Sequence, residues 1–114
     1  MSNSDILIEQ FKALAHPLRL RILEALSDGE RNVGEIEQTT TIGQPALSQQ
    51  LGVLRKAGLV DTRKQAKLVY YRLASAQIGA LSSALTTLTP ANPAAPSPDA
   101  HRSAPGVANF ARLS

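Results

Sequence analysis

Between residues 4 and 89 the apolar positions recur every three or four residues, switch once to every second residue, and then return to the helical period. Leu7, Phe11 and Leu14 form one stripe. They predict a helix with Ser4 as its N-cap and Asp5 in the first turn, where a carboxylate meets the positive end of the helix dipole. The pattern breaks at His16 and restarts with Pro17 in a first-turn position; Leu18, Ile22 and Leu26 continue it until Gly29. Asn32 and Glu35 have capping-box spacing and open a short helix through Gln38. After the turn "TTTIG" comes a helix predicted over Gln44 to Lys56, ended by Gly58. In "LVDTRKQAKLVYYRL" Val69, Tyr71 and Leu73 alternate with Tyr70 and Arg72, which predicts a β-hairpin with its tip at Gln65-Ala66. A final helix over Ala76 to Leu88 repeats Ile78, Leu81, Leu85 and Leu88 at seam spacing, and Pro90 stops it. The class is mainly α with a small β-hairpin.

The helix over Gln44 to Lys56 has an unusual outer face. At 100° per residue, Leu47, Leu51 and Leu54 fall together and face a core. Pro45, Ser48, Gln49, Gly52 and Lys56 fall opposite them. This face is slim, rich in hydrogen-bonding groups and neutral except for Lys56 at its end, which suits the major groove of DNA, where base edges present donors and acceptors. With the short helix and the turn before it, it forms a helix-turn-helix. The hairpin adds Arg63, Lys64, Gln65 and Lys67 near one tip, a wing able to reach phosphates.

Charge sharpens this picture. Residues 1–54 hold four basic and seven acidic side chains, a net of −3, whereas residues 55–72 hold six basic and one acidic, a net of +5. A basic zone beside an acidic body points to a polyanion on one side of the molecule. Length excludes little except a large core: 114 residues hold one domain, with two Phe, two Tyr and no Trp to fill it. A second copy of the chain would bury what one copy leaves exposed. Residues 90–114 carry five of the seven prolines and no apolar period; they read as a disordered tail after a domain over residues 1–89, with "NFARLS" as a docking peptide at most.

The chain has no cysteine, so disulfides, thiolate metal sites and cysteine nucleophiles are excluded. His16 reads as structural and His101 as inert; two distant histidines cannot supply the ligands zinc needs. No nucleophile motif, phosphate-cradling glycine loop or carboxylate pair suggests an enzyme, and no cofactor is implied. The start "MSNSDILIEQF" lacks a basic, apolar leader, and no apolar run is long enough for a membrane span, so a cytoplasmic protein with no membrane partner is expected.

The segments "HPLRLRILEAL", "GQPALSQQLGVLRKAGLV" and "TRKQAKLVYYRL" resemble the ArsR/SmtB-type winged-helix repressors of bacteria over most of residues 5–88. The middle segment resembles in particular the branch of sulfide- and redox-sensing repressors. The resemblance implies a winged helix-turn-helix, a homodimer paired through the first and last helices, and binding to a double-stranded DNA operator that blocks transcription. It places Gln44, Ser48, Gln49 and Gln50 at groove-reading positions. Pairing through the end helices assigns the subunit seam to Leu7, Phe11, Leu14, Ile78, Leu81, Leu85 and Leu88. The chain departs from the pattern at every familiar inducer site. "RNVGEIE" lacks the Cys-x-Cys of the arsenic-type members, "SAQIGALSSALTTL" lacks the His, Asp and Glu ligands of the zinc-type members, and the cysteine pair of the thiol sensors is absent. An unidentified small-molecule inducer is then the expected signal, if there is one. The competing reading is a winged-helix protein-interaction module without sequence-specific DNA binding.

Overall fold

The structure is a computed structural model that describes residues 2–89; the expected tail over residues 90–114, with its docking peptide and His101, lies outside the described residues. The chain runs α1 (Asn3–Leu14), α2 (Pro17–Leu26), β1 (Arg31–Asn32), α3 (Val33–Thr40), α4 (Ala46–Lys56), β2 (Val60–Gln65), β3 (Leu68–Leu73) and α5 (Ser75–Thr86). Helices and hairpin follow the expected order, with one strand added.

Each helix boundary has a local cause. Ser2, not Ser4, caps α1: its Oγ accepts from the Asp5 amide while the Asp5 carboxylate accepts from the Ser2 amide, a reciprocal box that draws Ser4 into the helix. His16 caps α2 through Nδ1, which accepts from the Leu18 amide at 3.1 Å, and Pro17 follows at the first helical position. This is the structural role expected of His16. Asn32 and Glu35 form the predicted capping box of α3, which runs two residues further than expected, to Thr40. Gly58, at φ 80°, closes α4: the Leu59 amide donates to Leu54 O and the Gly58 amide to Arg55 O, so two end carbonyls are satisfied by a turn that favours glycine.

The sheet has three strands in the order β1-β3-β2, all antiparallel. Arg31 and Asn32 pair with Tyr71 and Tyr70, which ties the start of the helix-turn-helix to the hairpin. Gln65 pairs with Leu68, so the hairpin turn is Ala66-Lys67, one residue later than expected, with Ala66 in the left-handed region at φ 56°. The core is built from Ile22, Leu23 and Leu26 of α2, Ile36 of α3, Leu47, Leu51 and Leu54 of α4, and Leu59 and Val60 at the entry to β2. Leu81 of α5 joins this core and is only 4% exposed. Leu81, expected at the subunit seam, is thus already buried within its own protomer. Leu7, Phe11, Leu14 and Ile78 are half-buried against the same core, while Leu85 (53% exposed) and Leu88 (80%) stand in solvent.

Candidate nucleic-acid interface

The helix-turn-helix is α3 and α4 with residues 41–45 between them. Thr41 takes the left-handed conformation after α3, and Ile42 is buried, anchoring the turn in the core. The helix expected from Gln44 starts at Ala46 instead. Gln44 lies before it, and its Oε1 accepts from the Ser48 amide at 3.0 Å and from Ser48 Oγ at 2.7 Å. It supplies the cap that Pro45 cannot, since the Pro45 ring has no acceptor to offer the first-turn amides.

From this start α4 presents the two faces expected of it. Leu47, Leu51 and Leu54 are fully buried or nearly so, while Pro45, Ser48, Gln49, Gly52 and Lys56 are exposed. The Gln49 backbone N–H donates to Pro45 O, but its side-chain carboxamide makes no hydrogen bond among the described residues, leaving it free for an external donor–acceptor pair. Gly52 is also informative. A glycine inside a helix costs about 1 kcal/mol relative to alanine, yet a Cβ there would meet no atom within 4 Å. Nothing inside the described protomer requires the gap. Gln50 is set apart from this face: it is half-buried, and its Oε1 accepts from Arg19 Nη1 of α2 at 2.8 Å. Its placement is sideways, toward α2.

The wing carries Lys64 on β2 and Lys67 in the turn, both exposed and neither with a carboxylate partner among the described residues. Gln65 accepts from Arg63 Nη1 at 2.6 Å. Arg63 is not the free arm that its position suggested. Its Nη2 lies 2.7 Å from Glu30 Oε1, its Nε donates to both oxygens of the same carboxylate, and its guanidinium stands over the Tyr70 ring at 5.0 Å. Arg72 Nη1 is 3.9 Å from the other Glu30 oxygen. The hydrogen bonds from Arg63, aided by the charges of Arg63 and Arg72, hold the Glu30 carboxyl below the usual carboxylate range despite some opposing desolvation. A lowered folded-state pKa means that the pair's contribution is present above the ordinary carboxylate range and is lost as pH falls through the lowered value.

Glu30 thus occupies the Arg63 guanidinium. Glu30→Gln removes the charge that holds Arg63 back. It should strengthen binding to any duplex severalfold and steepen the log–log salt dependence by about one unit. A salt titration of both proteins on an unrelated duplex checks this, and identical slopes would keep Arg63 away from the phosphates.

Sequence reading missed three participants. Glu30 and Arg19 reach their partners across long stretches of chain. Ile8, 50% exposed on α1, lies outside the stripe of Leu7, Phe11 and Leu14 but adds to the apolar surface of the end helices. Among the described residues no group of His, Asp and Glu is placed to hold a metal ion, and no helix is long and apolar enough to cross a membrane.

This geometry has close counterparts. The family model for bacterial regulatory proteins of the arsR family matches residues 16–62, from the α2 cap into β2. The biofilm growth-associated repressor of Xylella fastidiosa is 52% identical over 77 residues, 68% of this chain and 68% of that one. The transcriptional activator HlyU of Vibrio cholerae is 44% identical over 79 residues, 69% of this chain and 73% of its own. The solution structure of a homodimeric winged helix-turn-helix DNA-binding domain from Mycobacterium bovis superposes with a TM-score of 0.64 at 31% identity, covering 77% of this chain and 86% of that domain. Helix order, wing and sequence agree: the chain is a winged helix-turn-helix protein and belongs to the arsR family of bacterial regulatory proteins.

Proposed function

We propose that two copies of the chain, paired through α1 and α5, bind an operator in double-stranded DNA and repress transcription from it. The observation that carries this reading is the outer face of α4: exposed Ser48, the Gln49 side-chain carboxamide, unpartnered among the described residues, and the bare Gly52 backbone on a helix whose other face is locked into the core by three leucines. Such a helix is rigid where base edges demand fixed donors and acceptors, and narrow where it must approach them. Lys56, Lys64 and Lys67 supply phosphate contacts that position it. The exposed apolar residues Ile8, Leu85 and Leu88, beside half-buried Phe11 and Leu14, supply the seam of a domain over residues 1–89. Repression rather than activation follows the relative with the higher identity.

The direct test is an electrophoretic shift on the DNA upstream of the protein's own coding sequence, with unrelated competitor and a salt series. A complex that survives competitor supports the reading, and in vitro transcription from the same fragment should fall. Equal loss of the complex to unrelated DNA and to unlabelled copies of the same fragment would favour the interaction-module reading.

Gly52 offers a second check that separates folding from binding. Gly52→Ala should raise the stability of the protein by up to about 1 kcal/mol, because helix propensity improves and nothing is crowded. The same methyl group should weaken operator binding. Thermal unfolding and the shift assay, run on one preparation, measure both, and improved binding would place the face of α4 away from the groove.

A further inference from the structure

Along one flank of α4, between its exposed polar face and the core, α1, α2 and α4 border an open cleft of about 600 Å³, within the range of small-molecule sites. Its floor is apolar: Ile6 and Ala13 of α1, with Val53 and Ala57 of α4 and its end. Ile6 is 39% exposed and Val53 40%, so two large apolar side chains face solvent where a ligand body would cover them.

The rim is charged and its charges do not cancel. Glu9 is matched by Lys12 at 3.5 Å. Arg19 and Lys56 have no carboxylate partner among the described residues. Arg19 donates through Nε to the Ala13 carbonyl and through Nη1 to Gln50 Oε1, both uncharged acceptors, which leaves Nη2 without a partner. An apolar floor under two uncompensated cations fits a molecule with an apolar body and one negative head.

We propose that this cleft binds an amphipathic organic anion, a carboxylate or sulfonate on a hydrocarbon or aromatic body, and that its occupation weakens DNA binding. The coupling runs through two residues that belong to both sites. Lys56 closes the cleft and sits at the end of the DNA-facing surface, so an anion beside it removes a charge from the phosphates. Arg19 holds Gln50 of α4, and an anion that takes the Arg19 guanidinium competes with that bond. The regulatory half rests on the DNA-binding reading; the site itself does not.

Octanoate is the probe, with 1-octanol as its uncharged counterpart. Amide NMR of the full chain without DNA should show saturable shifts at Ile6, Ala13, Val53 and Ala57 with octanoate, and at least tenfold weaker binding of 1-octanol. Equal affinity for the two, or shifts centred elsewhere, would overturn the site. Ile6→Glu puts a carboxylate at the mouth and should weaken octanoate tenfold or more. Arg19→Gln should do the same while leaving 1-octanol unchanged, which keeps the test open if the first variant is poorly folded; full octanoate affinity in both would overturn the proposal. On operator DNA, saturating octanoate should cost about tenfold in affinity, and saturating DNA should cost octanoate the same factor. Octanoate that fills the cleft without changing DNA affinity overturns the regulatory half. A chain that binds octanoate there but never binds DNA specifically supports the site and defeats the reading of function.

Discussion

Leu81→Asp should unfold the protein, and Leu85→Asp, four residues along the same helix, should leave a folded monomer. The two leucines share the seam spacing of α5 but not its surroundings. Leu81 is 4% exposed and packs in the protomer's own core, whereas Leu85 is 53% exposed. A carboxylate at position 81 would be buried without a partner, at a cost of roughly 3–5 kcal/mol, much of the total stability of a domain this size. At position 85 the carboxylate is solvated in the monomer and desolvated only in the dimer, so the cost falls on association. Circular dichroism and sedimentation velocity on both variants check the contrast. A native dimer with Asp at position 85 would remove the end of α5 from the seam, and a folded protein with Asp at position 81 would mean that α5 does not close the core.

That contrast shows where sequence reading ended. The stripe Ile78, Leu81, Leu85 and Leu88 was legible as one apolar face, but a stripe does not say which partner it faces. Leu81 packs into the protomer's core, while Leu85, in the last turn of α5, and Leu88, beyond its end, stay exposed. The leucine face of α4, the box of Asn32 with Glu35 and the alternation in the hairpin were legible because each is a local period or a fixed short spacing. β1 was not, since two residues carry no period. Ser4 was expected to cap α1, and the reciprocal bond between Ser2 and Asp5 puts the cap two residues earlier. Gln44 was expected to read bases; in the structure it caps α4 at Ser48, a role usually taken by a shorter side chain. The pairing of Arg63 with Glu30 spans 33 positions and joins the wing to the loop before β1, a contact no local pattern announces.

In the proposed DNA complex the wing and α4 would differ in the kind of energy they contribute. Phosphate contacts depend on charge and salt and are blind to sequence, while contacts to base edges depend on matched donors and acceptors. Among the glutamines of α4 and its approach, Gln44 is tied to Ser48 and Gln50 to Arg19, which leaves Gln49 as the one whose side-chain carboxamide is unengaged among the described residues. Removing it should therefore change what sequence is preferred more than how tightly DNA in general is held.

The largest effect expected at the interface comes from Gln49→Ala, with Lys64→Ala as its counterpart. Gln49→Ala leaves the buried leucines untouched and should cost about 1–3 kcal/mol on the operator, with far less on a scrambled duplex. Lys64→Ala should weaken both duplexes alike and lower the salt slope by about one unit. The measurement that tests the central claim most directly is the affinity of wild type and Gln49→Ala for operator and scrambled duplexes at one salt concentration. The account predicts that the wild-type preference for the operator collapses in the variant while affinity for the scrambled duplex holds. An equal loss on both duplexes, or no loss on either, would contradict it.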